Sequence, residues 1–134
     1  VFERLGPVED DTAARVVTRI YDAGLFPDWW KLEPYATAAA WRAATATIAE
    51  RDPNVRGVLV LGRDASVNAL EESFALAAAQ PLVKGFAVGR TIFGEVARAF
   101  FAGELSEAEA VAGLAGRYNN LCALWDAARA GAVE

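Results

Sequence analysis

Lys31 stands in Trp29-Trp30-Lys31-Leu32-Glu33-Pro34, a short strand-like run with a helical segment on each side, and is the residue of this chain best suited to covalent chemistry. An isolated ammonium is costly to desolvate, so a lysine inside an apolar strand must snorkel, pair with a carboxylate or give up its proton. Strand side chains alternate between faces, which puts Lys31 and Glu33 on one side and Trp30 and Leu32 on the other. That pattern describes a barrel strand with a wet interior end and a helix-covered exterior. It equally describes a Lys/Glu pair on a solvent-facing edge strand. An amine that attacks a carbonyl must be partly neutral, and burial near a second cation lowers a lysine's affinity for its proton. An ionised Glu33 close by would oppose that effect, so its useful role is to orient the amine or shuttle protons. Trp29 shares the face of Lys31, where it either walls a site or packs in a core.

A second group suits an anion. Gly62 and Gly89 each close an apolar run, where a strand-to-helix loop must let a ligand approach the backbone. Arg90 follows Gly89 and Thr91 opens the next helix, so one loop offers a guanidinium, free helix N-terminal amides and a hydroxyl. Tight turns without a ligand are the alternative for the glycines, and a surface ion pair is the alternative for Arg90. Arg63 and Asp64 lie in the preceding loop, able to reach a ligand or to pair with each other, while Asp64 or Ser66 is a candidate helix cap. Lys84 sits toward the N-terminal end of its strand and reads as structural.

The elements that must position these residues alternate. Apolar residues Ala13, Val16, Val17, Ile20 and Tyr21 predict a helix ended by Gly24, and the Trp29 to Glu33 strand follows. Trp41, Ala44, Thr45 and Ile48 form the inner stripe of a second helix, which gives way to a turn at Asp52-Pro53-Asn54. Gly57 to Gly62 reads as a strand buried on both faces, and the helix after it, from Ser66 to Gln80, faces inward with Val67, Leu70, Phe74 and Ala78. Leu82 to Gly89 is a third strand, and its helix carries Ile92, Phe93, Val96, Ala97, Phe100 and Phe101. A last helix starts at Ser106 with capping-box spacing to Glu109 and runs through Val111, Leu114, Tyr118, Leu121 and Trp125. Three βα units imply right-handed crossovers and a parallel sheet, hence an α/β protein. A complete (β/α)8 barrel typically takes about 250 residues, so residues 1–134 are expected to supply only its last three βα units and a terminal helix. Gly62 and Gly89-Arg90 then fall on the two loops that often hold phosphate in such barrels. The competing architecture is a small, open, doubly wound sheet.

Composition narrows the partners. With 134 residues, 54% hydrophobic and 23% charged, the chain has the make-up of one globular domain. A formal net charge of -5 and the lack of a Lys/Arg cluster argue against a nucleic-acid surface. Zero histidines disfavour a zinc hydrolase or zinc aldolase, so no metal and no cofactor are expected. Cys122 falls in a helical pattern and is expected in the core. No run reaches the length of a membrane span and no signal or lipidation motif is present, so the cytoplasm is the expected location and a membrane is not an expected partner. Methionine is absent even at position 1, and the chain is expected to be part of a longer polypeptide.

The string Phe26-Pro27-Asp28-Trp29-Trp30-Lys31-Leu32-Glu33-Pro34, then Gly57 to Gly62 with Asp64-Ala65, then Lys84-Gly85-Phe86-Ala87-Val88-Gly89-Arg90-Thr91-Ile92-Phe93, resembles the aldolase-like domain often fused behind 5-dehydro-2-deoxygluconokinase. That domain is similar to 2-deoxy-5-ketogluconate-6-phosphate aldolases and, more distantly, to class I tagatose-bisphosphate aldolases. The resemblance covers essentially the whole chain. It implies a Schiff-base aldolase of inositol catabolism, with the imine at Lys31, assistance from Glu33, phosphate at Gly62, Gly89 and Arg90, and a phosphorylated sugar-acid substrate. A fused or associated sugar kinase is the implied partner. Two departures stand out: upstream strands, including one with a glutamate implicated in acid/base work, are absent, and Arg63 stands where an apolar residue is expected. A phosphosugar-binding regulatory module is the rival reading, and a homo-oligomer that covers exposed strand edges is a third.

Overall fold

A computed structural model describes residues 9–132 as helices and strands in the order α1 (Thr12–Asp22), β1 (Trp29–Leu32), α2 (Ala38–Arg51), β2 (Gly57–Leu61), α3 (Val67–Ala78), β3 (Val83–Ala87), α4 (Arg90–Phe101) and α5 (Glu107–Gly131). The three strands form one parallel sheet in the order β1-β2-β3. This is the α/β arrangement expected from the alternating periodicities.

Local chemistry sets the element boundaries. Thr37, Ser66 and Ser106 cap α2, α3 and α5 by accepting the amides of Ala40, Ala69 and Glu109. At α5 the Glu109 carboxylate returns the bond to the Ser106 amide at 2.8 Å, completing a capping box. Those bonds, and the adjacent Ser106 hydroxyl above all, hold the Glu109 carboxyl below its ordinary pKa. Gly24, at φ +78°, follows α1 in a left-handed conformation that costs glycine little.

One face of the sheet carries the core. Trp30 and Leu32 of β1, Val58 and Val60 of β2 and Val83 of β3 are buried with Tyr21, Trp41, Ile48, Leu70, Phe74, Leu121 and Trp125 of the helices. Trp30 donates its indole N–H to the Tyr21 hydroxyl at 3.0 Å, which satisfies a polar atom that burial would otherwise strand. Phe74 stacks on Phe86 and meets Trp125 edge-on, tying α3, β3 and α5 together. Arg129 donates to the carbonyl of Ala78 at 2.7 Å, so α5 also satisfies the end of α3.

The opposite face is bare. Trp29 is 43% exposed and Lys31 is exposed, while Leu59 and Leu61 are only half-buried. The Gly57 to Gly62 run is therefore not buried on both faces as its continuous apolar character suggested. Other inward assignments also fail: Val16, Val67, Phe93, Phe100, Phe101, Val111 and Tyr118 are exposed, Phe101 at 84%. Cys122 is half-buried beside Tyr118 rather than enclosed in the core. The physical reason is shared. Periodicity identifies an apolar stripe, but only a packed neighbour buries it.

Candidate functional site

β1 carries Lys31 because its alternation is in phase with the core: Trp30 and Leu32 go under the helices, so Trp29 and Lys31 go to the bare face. The register places Lys31 beside Leu59 and Leu59 beside Gly85, which makes one row across the sheet. Below that row, toward the strand N-termini, Trp29 pairs with Gly57, and the Lys84 stem lies so close that a Cβ on Gly57 would stand 2.5 Å from Lys84 Cγ and 2.9 Å from the Trp29 ring. Gly57 is thus the gap into which two larger side chains lean. A register irregularity between Val58 and Leu59 leaves Lys84 outside the ladder, and its ammonium donates to the Pro81 carbonyl at 2.7 Å.

Glu33 follows the C-terminal end of β1, and Arg63 of the next βα loop donates to its carboxylate at 2.8 Å. Arg63 and Asp64 do not pair with each other. Both adopt left-handed backbone, φ 51° and 65°, a conformation that costs non-glycine residues free energy and is kept where surrounding contacts over-determine it. Arg63 pairs with Glu33 and Asp64 with Arg90, the latter 3.4 Å apart. The Lys31 ammonium makes no hydrogen bond or ion pair among the described residues. The amine is therefore left uncovered by these three strands.

The two glycines bring the loops together. A Cβ on Gly62 would stand 2.9 Å from a Val88 methyl, and a Cβ on Gly89 would stand 3.0 Å from the Phe93 ring. Thr91 donates its hydroxyl to the Ala65 carbonyl at 2.9 Å, joining the start of α4 to the loop before α3. Gly89 is the N-cap of α4 and supplies no side-chain acceptor, while its carbonyl takes the amides of Ile92 and Phe93. The first-turn amides of Arg90 and Thr91 have no backbone acceptor within the helix.

Two features went unread in the sequence. Tyr35, between Glu33 and α2, is packed 4.9 Å from the Trp41 ring, and its hydroxyl is pushed up to about 12 by burial and then by the nearby Glu33 charge. Its position two residues past Glu33 was the available signal. The second is a cleft of about 520 Å³ among α3, α4 and α5, into which Arg90, Arg98 and Arg117 all project. Nothing in the sequence relates Arg117 to Arg98, because the packing of α5 on α4 brings them together.

Among the described residues, no group of three or more His, Cys, Asp or Glu side chains is arranged to hold a metal, and no helix is long and apolar enough to cross a membrane. The fold and these loops define an α/β protein with a one-sided parallel sheet and polar groups gathered at its C-terminal end. Residues 1–129 match the bacterial family described as "Uncharacterized protein conserved in bacteria (DUF2090)", and the chain belongs to that family. No curated protein and no solved structure matches it.

Proposed function

We propose that the chain forms the last three βα units of a (β/α)8 barrel in a cytoplasmic class I aldolase that cleaves a phosphorylated keto-sugar acid. The substrate implied by the resemblance is 2-deoxy-5-keto-gluconate 6-phosphate, and the products are dihydroxyacetone phosphate and malonate semialdehyde. The observation that carries the reading is the position of Lys31: an exposed amine on the uncovered face of a parallel sheet, carried by β1, with Glu33 following at the end where the βα loops gather. In a barrel that face is the interior, and further strands would supply the desolvation that a nucleophilic amine needs.

The chemistry follows from those groups. The neutral Lys31 amine adds to the ketone carbon, and loss of water gives a protonated imine. A base removes the proton from the hydroxyl on the carbon two bonds from the imine carbon. The intervening carbon–carbon bond breaks, its electron pair moves into the imine to form an enamine, and malonate semialdehyde leaves. Protonation of the enamine carbon and hydrolysis release dihydroxyacetone phosphate and restore the amine. Glu33 would relay the proton, with Arg63 fixing its carboxylate. Gly62, Gly89 and Arg90 would hold the phosphate at the junction of the two loops.

Treatment of the protein with dihydroxyacetone phosphate and borohydride tests the imine. The expected result is a reduced adduct on the Lys31 peptide, absent in Lys31→Ala. Turnover that persists in Lys31→Ala, or an adduct at a different lysine, rejects the aldolase reading. The rival, a phosphosugar-binding regulatory module attached to a sugar kinase, draws on Arg90 lining the arginine cleft while Lys31 stands exposed. It predicts ligand binding that needs Arg90 and ignores Lys31.

A further inference from the structure

Two ion pairs link the chain segments that flank β1 and β2, one at each end of the sheet. At the N-terminal end Arg56 meets Asp28 at 3.5 Å, with both side chains largely exposed. At the C-terminal end Arg63 donates to Glu33 at 2.8 Å, and both are about half-exposed. In parallel α/β sheets, closed or open, ligands bind at the carboxyl ends of the strands, so only the second pair stands where a ligand is expected. Arg63 is also set apart by its backbone. It and Asp64 are the only non-glycine residues at positive φ among the described residues, a costly conformation that clusters at active sites and ligand clamps. Its guanidinium is only partly used. Of five N–H donors, those on Nη1 alone are engaged, by Glu33, among the described residues. The group it holds in the folded chain is a carboxylate, the planar acid that matches a planar guanidinium fork. That carboxylate belongs to the residue two positions past Lys31, at most about 7 Å along the chain.

We propose that Arg63 recognises the carboxylate end of the substrate, keeping Glu33 on Nη1 and taking the ligand acid on its remaining N–H groups, and so selects keto-sugar acids over neutral keto-sugars. This deepens the aldolase reading and rests on it for the remainder of the substrate. In the substrate named above, the acid carbon lies four carbon–carbon bonds from the carbon that forms the imine, about 5 Å when extended. That span is comparable with the separation of Lys31 from Glu33. After cleavage the acid group stays on malonate semialdehyde, so Arg63 holds the fragment that leaves first. Two carboxylates on one guanidinium repel each other, which makes the Glu33 charge a brake on ligand affinity.

The test is a titration of the protein with 3-hydroxypropanoate, a stable three-carbon acid of the size of that fragment, at constant ionic strength. Neutral 1,3-propanediol and chloride serve as comparisons, and the Arg63 Nε–H and Asp64 backbone amide resonances are followed. The acid should shift both resonances and the diol neither. Arg63→Gln should weaken binding of the acid by about tenfold or more, the loss of one charge-assisted contact. Glu33→Gln should tighten it. Arg56→Gln, at the ion pair on the opposite end of the sheet, should leave it unchanged and controls for general charge. Circular dichroism verifies that each variant is folded. Shifts no larger than those of the diol or chloride, or equal binding in Arg63→Gln and the parent, overturn the proposal. Trapping of dihydroxyacetone phosphate on Lys31 alongside such a result keeps the aldolase and rejects the carboxylate site; acid binding that needs Arg63 without any adduct on Lys31 does the reverse.

Discussion

Tyr35 shows how one residue can couple a loop to pH. Its hydroxyl is pushed up to about 12, first by burial against Trp41 and then by the charge of Glu33. The unfolded chain gives up that proton near 10, so the contribution to stability is complete below pH 10 and is lost as the pH rises through 12. Tyr21 is shifted in the same direction, mainly by burial. Denaturant midpoints measured across this window should fall with pH in the parent and fall less steeply in Tyr35→Phe. Equal slopes would show that the phenol titrates as freely in the folded protein as in the unfolded one. At the same scale, the split of Trp30 and Leu32 into the core from Lys31 on the bare face was legible because alternation is a property of the strand alone. The partner of Glu33 was not, since Arg63 lies 30 residues on and is brought beside it by the pairing of β1 with β2.

The loops at the C-terminal end of the sheet behave as one unit. Val88 packs where a side chain on Gly62 would go, and Thr91 is tied to Ala65. Gly62→Ala places a methyl 2.9 Å from a β-branched side chain that has little room to rotate, and should destabilise the protein by about 1–3 kcal/mol. Thermal unfolding measures this, and an unchanged melting temperature would mean that the loops part easily. The spacing of Gly62 and Gly89 suits amide donors to a ligand or tight turns without one. The contacts around both glycines give them a packing role that either reading leaves intact.

The whole molecule is a layered structure with one layer unpartnered. Helices cover one face of the sheet, and β1 and β3 each have one edge unpaired among the described residues. The β3 edge borders a groove of about 600 Å³ walled by Tyr118 and Trp125. Open edges and an uncovered face favour association with further strands. Sedimentation velocity should therefore detect concentration-dependent self-association of the isolated chain, reduced by Leu59→Lys on the bare face. Val58→Lys, one position earlier, points into the core and should unfold the chain instead, because it buries an unpaired charge. Similar behaviour of the two variants would contradict the sidedness of the sheet.

The alternation of β1, the Ser106–Glu109 capping box and the α/β order were determined by the sequence, because each depends on residues within a few positions of one another. Tertiary structure alone decided that Leu59, Phe93 and Phe101 are uncovered, that Arg63 takes Glu33, and that Arg98 and Arg117 meet in one cleft. Those outcomes depend on which element packs against which, and a local pattern of side chains carries no information about its neighbour across the fold.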